Sequence, residues 1–424
     1  MEAVLTAGNQ RDEREDTVLS EAFQRATGGR ISTPNTLQQA MFPRLLSGDR
    51  GLVVPSGPGA GRLESVFVPS QTTCQDVHWK QRLFIIASDY GLLDDYEHRL
   101  VPYMRALAAS DGIPRTIHIS QSDASMCACY SPDGSVIRRD YDHPLDSDVD
   151  LAVMRLSDFQ TQFFGTGGLQ SLPQPLAPDE SNGLLFNGRT ILYFDEAQAY
   201  APDEFGSFVR LVKFLFAQDL DVIVGSSTLP AAAMDELSFL EVLYVPEANE
   251  EPARTLQYAE VHGWSSPAVG RALAGASRSL LVGSLPADLE RIACVAMAAG
   301  NDPIVYSSAL PQAQRRQLYA GLRDAQEQGI GFCCVADAAA VETSDLSAEV
   351  LITDICSPDA LLRRAGRCNR RREFAQGRIL VIGPTKDSAD RGENAELGSH
   401  YLNLLQELAD PATFTGAEWI PLIA

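Results

Sequence analysis

A chain of 424 residues with 45% hydrophobic and 21% charged side chains is long enough for two or three domains with cores of their own, and its composition excludes a disordered or fibrous polymer. Thirty-four basic against 56 acidic side chains give a net charge of −22, which excludes broad sequence-independent attraction to phosphate, so any grip on nucleic acid must come from local patches. The only lysines are Lys80, Lys213 and Lys386, and the eight cysteines lack the paired CxxC spacing of a zinc site or disulfide framework, which fits a reducing cytoplasm.

Residues 1–30 are polar and mixed in charge and read as a helical or loose arm. No apolar stretch of signal type and no run of 18 apolar residues is found, so a chain neither exported nor membrane-spanning is expected. From Leu52 short apolar runs alternate with amphipathic stretches: LVVP, LFIIAS at Leu83, VDLAVM at Val149, TILYFDEA at Thr190 and VIVGSS at Val222. That pattern predicts buried parallel strands separated by helices. The polar, turn-rich stretches Ser120–Asp148 and Gly165–Gly188 read as surface insertions. The acidic segment PEANEEPA, between Val245 and Arg254, suits a boundary between lobes. Alternation then resumes with SLLVGS at Ser279, PIVYSS at Pro303, GFCCVA at Gly331, AEVLITD at Ala348 and RILVIG at Arg378. The expected organisation is an arm over 1–30, an α/β lobe over 31–245, and a linker with a second α/β lobe over 246–424, both with mainly parallel sheets.

Three constellations could carry chemistry. The first is Ser56-Gly57-Pro58-Gly59-Ala60-Gly61-Arg62-Leu63, between a strand and a helix-like stretch. A glycine-rich turn there can wrap phosphates with backbone N–H groups at a helix N-terminus. A working P-loop, however, needs a lysine on the phosphates and a Ser or Thr hydroxyl on magnesium. Arg62 and Leu63 stand in those places, and the alternative reading is a plain glycine-rich turn. The second is Asp195-Glu196-Ala197-Gln198, closing the strand ILYF. There Asp195 could hold magnesium and Glu196 orient an attacking water, or both could merely cap a turn. The third is the arginine run Arg363-Arg364-Ala365-Gly366-Arg367-Cys368-Asn369-Arg370-Arg371-Arg372. On one helix Arg363, Arg367 and Arg370 would share a face. Phosphate is the expected ligand, and a salt-bridge network the alternative.

Taken in order, these segments resemble superfamily 2 helicases, and more narrowly the CRISPR-associated helicase of type I systems. The resemblance runs from about Thr33 to about Gly383. Thr33-Pro34 with Gln38-Gln39 precedes the first motif, and RLFIIASDYGLLDDYEHRL at Arg82 is similar to the family's second strand and helix, whose start contacts DNA phosphates. DEAQAY at Asp195 matches the acidic box, and Ser226-Ser227-Thr228-Leu229-Pro230 matches a Ser-Ala-Thr-Leu-Pro box. VLITDICSPDALLRRAGRCNRR from Val350 carries Arg367 and Arg370, which correspond to arginines that reach the γ-phosphate across a cleft. The resemblance implies two RecA-like lobes and ATP with Mg2+ as cofactors. It assigns Gly59, Ala60, Gly61, Arg62 and Leu63 to the nucleotide, Asp195 to the metal, and Asp195, Glu196, Arg367 and Arg370 to catalysis.

The departures run in one direction. Beyond Arg62 and Leu63, the box over residues 335–345 lacks the family's Thr, Glu and Gly and keeps only the late Asp345. The six histidines are scattered and none precedes an Asp, so no nuclease domain is expected, nor the family's C-terminal accessory domain. The favoured expectation is a helicase-like subunit with lost or impaired ATPase. It would dock on a type I CRISPR surveillance complex beside a separate nuclease subunit, and bind single-stranded DNA weakly alone. The alternative is an active ATP-dependent 3′–5′ translocase, and a third reading is a switch that holds ATP without hydrolysing it. Along the DNA side, Asp94 and Asp95 after the segment Ser88–Leu92 should repel phosphate, while Arg315 and Arg316 could attract it.

Overall fold

The computed structural model describes residues 13–56, 60–72, 81–88, 90–120, 125–139, 149–164, 189–200, 202–227, 229, 231–245, 254–259, 263–342, 344–383 and 412–414. Contacts divide the chain into two units, Met1–Ala248 and Asn249–Ala424, each built around one mainly parallel sheet.

The first unit contains β1 (Gly51–Pro55), β2 (Arg82–Ala87), β3 (Arg115–Ile119), β4 (Met126–Tyr130), β5 (Val136–Arg139), β6 (Leu151–Arg155), β7 (Thr190–Phe194), β8 (Asp221–Ser226) and β9 (Glu241–Val242). Their order in the sheet is β5-β4-β3-β6-β2-β7-β8-β1-β9. The apolar runs are continuous because both faces are covered, and period-2 alternation sorts them into two cores. Leu52, Val54, Leu83, Ile85, Ile191 and Tyr193 pack on one face. Val53, Phe84, Ile86, Leu192 and Phe194 pack on the other. The first face is covered by the helices Thr36–Ser47, Arg62–Thr72 and Tyr90–Asp111, and the second by Leu156–Phe164 and Pro202–Ala217.

One expectation is corrected within this unit. The stretch from Ser120 is not only surface loop: β4 and β5 pair antiparallel and extend the sheet beyond β3. The turn between them is closed by Ser131 N donating to Ser135 O at 2.9 Å, with Gly134 at φ +83°. Residues 165–188 and 246–253 lie outside the described residues. The strands that end in the glycine-rich turn and the acidic box are not neighbours, because β8 lies between β1 and β7 and pairs parallel with each.

Near the N-terminus, residues Glu13–Ala26 form a helix rather than a loose arm. Its Leu19, Ala22 and Phe23 belong to the first core, so an apolar stripe within a polar segment anchors it.

The second unit contains β10 (Arg254–Ala259), β11 (Arg278–Gly283), β12 (Pro303–Tyr306), β13 (Phe332–Asp337), β14 (Val350–Asp354), β15 (Gly377–Ile382) and β16 (Ala412–Phe414). The order is β12-β13-β11-β14-β15-β10-β16, parallel except for the β10–β16 pair. Leu280, Val282, Cys334, Leu351 and Val381 fill one face, and Leu281, Val335, Ile352 and Leu380 the other. All five runs expected from Ser279 onward are strands. No helix among the described residues is long and apolar enough to cross a membrane.

Phe23 is fully buried against this sheet-covering layer of the first unit. Phe23→Ala should therefore lower the unfolding free energy of that unit by about 3–5 kcal/mol. Urea unfolding followed by circular dichroism measures it, and a loss under about 1 kcal/mol would show that the N-terminal helix is not part of the core.

Candidate functional site

The glycine-rich turn comes after β1 and leads into the helix Arg62–Thr72. Gly57, Pro58 and Gly59 lie outside the described residues. Ala60 and Gly61, the next two residues, are held by the segment that precedes the first motif. Asn35 caps the helix Thr36–Ser47 in a reciprocal capping box with Gln38. Asn35 Nδ2 also donates to Ala60 O at 2.9 Å, and Gln38 Nε2 to Gly61 O at 3.5 Å. Gly61 has φ +74°, and a β-carbon there would sit 2.6 Å from Gln38 Nε2, so conformation and space both demand glycine.

Arg62, where a phosphate-binding lysine would stand, is 7% exposed and reaches three acceptors of its own chain. Its Nη1 donates to Ser56 O at 2.6 Å, its Nη2 to Glu196 Oε1 at 2.5 Å, and its Nε to Asp195 Oδ1 at 3.4 Å. Burial works against the charge, but Glu196 and Asp195 outweigh it and hold the guanidinium above its ordinary pKa. Arginine can do this because its planar fork carries five donors, whereas lysine is a point charge. Leu63 is 2% exposed and packs in the first core.

The acidic box closes β7, with Asp195 N donating to Ile86 O at 3.1 Å. Every oxygen of its two carboxylates has a protein partner. Asp195 Oδ1 accepts from Arg62 and from Glu196 N at 2.9 Å, and Asp195 Oδ2 accepts from the Tyr96 hydroxyl. Glu196, in the left-handed region at φ +54°, meets Arg62 through Oε1 and the Gln198 amide through Oε2. Gln198 in turn accepts from Ser226 Oγ at 2.5 Å and Ser227 N at 3.2 Å. The acidic box is thereby fixed to the Ser226-Ser227 end of β8, while Thr228 and Pro230 lie outside the described residues.

β8 can pass between the two motifs because Gly225 has no side chain. A β-carbon there would lie 2.6 Å from Tyr193 Oη and 3.0 Å from Asp195 Oδ1. Tyr193 and Tyr96 are fully buried, and burial first, then Asp195, raises both phenols well above their ordinary pKa. Sequence reasoning missed Tyr96, Asn35 and Gly225. The capping pattern from Asn35 to Gln38 could have revealed one of them, but no local signal marks Tyr96.

In the second unit the arginine run does not form one helical face. The helix Pro358–Ala365 ends at Gly366, and Ala348 and Cys368 form a parallel bridge. Asn369 and Arg372 then take left-handed φ values of +48° and +56°. The physical reason is the tight turn after the helix, in which Asn369 and Arg372 take left-handed backbone and Asn369 Nδ2 donates to Phe374 O at 2.8 Å.

The arginines instead surround carboxylates of the altered box. Glu342 accepts from Arg363 Nε and Arg364 Nε, both at 2.8 Å. Arg364 also donates to Asp354 Oδ1 at 2.7 Å. Although burial opposes its charge, Glu342 and Asp354 help hold its pKa above the ordinary arginine value. Asp345 gathers Arg323, Arg370 at 2.7 Å and Arg371 at 2.8 Å. Arg367, 3% exposed, donates to the carbonyls of Val341 at 3.2 Å and of Glu342. The salt-bridge alternative is thus present in the structure. On the expected DNA side, Asp95 is 1% exposed and paired with Arg99 at 3.0 Å, so it does not face solvent as a repelling charge. Arg315 is likewise buried, and the side chain of Asp94 lies outside the described part.

Residues 288–373 match the family model "CRISPR-associated nuclease/helicase Cas3, C-terminal". Among solved structures, T. fusca Cas3 with ATP superposes with a TM-score of 0.66 at 17% identity, covering 95% of this chain and 53% of that one. The DUF1998 helicase MrfA bound to DNA gives 0.65 at 13% identity, covering 94% and 54%. S. cerevisiae Dbp5 bound to RNA and ADP BeF3 gives 0.62 at 12% identity, covering 92% and 91%. No curated protein matches the sequence. The chain spans about half the length of the T. fusca Cas3 chains it resembles. The second unit therefore carries a Cas3-like segment, and the whole has a tandem RecA-like fold.

Arg62 offsets two buried carboxylates, so its removal should be felt as stability. Arg62→Ala should destabilise the first unit by about 3–5 kcal/mol, since breaking a buried pair leaves uncompensated charge. A urea midpoint within about 0.5 kcal/mol of the parent would show that the ion cluster does not form in solution.

Proposed function

We propose that this chain is a helicase-like subunit of type I CRISPR interference whose ATPase is lost or strongly impaired, and which acts as a docking or DNA-handling component. The observation that carries the reading is the triple engagement of Arg62 with Ser56, Asp195 and Glu196. A phosphate-binding turn needs a cation free to meet the nucleotide and a carboxylate free to meet its metal. Here the cation and the carboxylates satisfy each other, and the three side chains together carry a formal charge of −1. Leu63 adds no oxygen.

ATP is the cofactor implied by the likeness to Cas3 structures with ATP and AMPPNP, and Mg2+ is implied by the resemblance of the acidic box alone. The residues present do not fit that pair: Gly61 and Ala60 keep the turn, but Arg62 and Leu63 do not reproduce the ligands. Loss of one preorganised electrostatic contact costs roughly 10²- to 10³-fold in turnover, and two are lost. Of the two arginines assigned by resemblance to the γ-phosphate, Arg367 donates to the carbonyls of Val341 and Glu342, and Arg370 donates through Nε to Asp345 while its Nη1 is buried without a hydrogen-bond partner among the described residues. An active translocase is the competing reading, and no contact at the acidic box favours it.

The partners expected on this reading are a type I surveillance complex and a separate nuclease subunit. The acidic net charge of −22 and the burial of Asp95 and Arg315 support recognition by protein more than a continuous phosphate track.

Steady-state ATP hydrolysis with and without single-stranded DNA should be indistinguishable from a no-enzyme control. DNA-stimulated turnover near the usual enzyme range of about 1–10³ s⁻¹ would overturn the reading. In fluorescence anisotropy at about 0.15 M salt, the isolated chain should bind labelled single-stranded DNA weakly. A purified surveillance complex should bind the chain directly. Tight DNA binding by the chain alone would instead favour the translocase.

A further inference from the structure

A divalent cation at an acidic box needs carboxylate oxygens with open lone pairs, since magnesium keeps strict geometry and gives up its waters reluctantly. In this chain every oxygen of Asp195 and Glu196 already accepts at least one hydrogen bond, and Asp195 Oδ1 and Glu196 Oε2 accept two. Three of the four are held by groups from the recognised motifs: Arg62, Gln198 and the backbone N–H of Glu196. The fourth, Asp195 Oδ2, is held by Tyr96, which lies in the segment from Arg82 that resembles the family's second strand and helix but to which the resemblance assigns no role at the acidic box. Tyr96 lies in the first half of the helix Tyr90–Asp111, directly after β2, and is fully buried.

We infer that Tyr96 is a positioning residue that, together with Arg62, closes Asp195 to divalent cations and ties the helix Tyr90–Asp111 to the acidic box. The inference rests on the proposed role of Arg62 and adds a second, independent closure. Arg62 neutralises the box from the side of the glycine-rich turn, engaging Oδ1. Tyr96 engages Oδ2 from the helix that packs on the first core. The Tyr96 hydroxyl donates to Oδ2, and a cation taking both oxygens of Asp195 would have to displace it. Lysine at position 62 and threonine at position 63 would therefore leave half of Asp195 closed. The hydroxyl also gives the helix and the acidic box a shared hydrogen bond inside a dry core, where such bonds are electrostatically strong.

Divalent binding in the absence of nucleotide tests this apart from catalysis. The full chain and its variants are titrated with Mn2+ near millimolar concentration, with free ion read by electron paramagnetic resonance. Tyr96→Phe removes one oxygen and keeps the ring. Wild type should take up no Mn2+ at the box, and Arg62→Lys should bind weakly. Arg62→Lys with Tyr96→Phe should bind more tightly than Arg62→Lys by roughly 10- to 100-fold, the equivalent of removing a competing hydrogen bond to a charged group. Adding Asp195→Asn should abolish that gain. If Tyr96→Phe adds nothing to Arg62→Lys, the role of Tyr96 falls while that of Arg62 stands. If wild type binds Mn2+ as tightly as the double variant, and loses it with Asp195→Asn, both fall. Should the lysine background fail to fold, Arg62→Gln keeps side-chain donors without the charge, and the same comparison with and without Tyr96→Phe decides.

Discussion

A guanidinium buried to 7% exposure must find its counter-charge within its own lobe, and much of the first unit's chemistry depends on how Arg62 does so. Its three donors close on Ser56 O, Asp195 and Glu196, which links the ends of β1 and β7 across β8. That linkage requires β8 to be narrow, and Gly225 makes it so, because a β-carbon would press on Tyr193 Oη and Asp195 Oδ1. It also explains Leu63. On the reading proposed above, no metal is held there, and a hydroxyl at 63 would have nothing to bind. A buried leucine there contributes about 1.5–3 kcal/mol of apolar burial instead.

The second unit repeats the logic with different residues. The box over 335–345 carries carboxylates that act as hubs for arginine. Glu342 takes Arg363 and Arg364, and Asp345 takes Arg323, Arg370 and Arg371. Asp337 caps the short helix Ala338–Val341 and accepts from Ser307 Oγ and Ser308 N, both at 2.7 Å. A buried ion pair is weak evidence for stability by itself, because desolvation offsets much of the attraction. Several arginines sharing few carboxylates fix the geometry of a segment whose helix has already ended, and that is a constraint on conformation more than a gain in energy.

Features that depend on local pattern are legible in the sequence. All ten apolar runs are strands, because a run flanked by turns and buried on both faces needs no long-range information to be recognised. The order of motifs is enough to expect two RecA-like lobes, and the matches to known structures carry that fold. Features that depend on tertiary placement are not legible. MCACY and VIRR read as insertion because they are short, yet β3 offers them an edge to pair with. Arg363, Arg367 and Arg370 resemble one face only if helical spacing is extended past Gly366, where the helix stops. Asp95 reads as a surface repeller because sequence cannot show Arg99 folded back upon it. Tyr96 is invisible for a plainer reason: a lone tyrosine on an amphipathic helix is an ordinary core residue until the structure shows what its hydroxyl meets.

The tension in this fold lies between keeping a ligand site and replacing its ligand. An acidic box gathers two carboxylates at one strand end, and Glu196 sits at φ +54°, a conformation that costs a non-glycine residue about 1–3 kcal/mol. Such an arrangement persists only if something repeatedly compensates it. In an enzyme that turns over nucleotide, metal and phosphate can supply part of that compensation when they bind, and the empty site carries the remainder. Here Arg62, Tyr96, Gln198 and Ser227 compensate it without interruption, from within the lobe. The fold then no longer needs a ligand to hold its strand ends in register. Catalytic positions are free to change, whereas residues that feed the internal cluster are not.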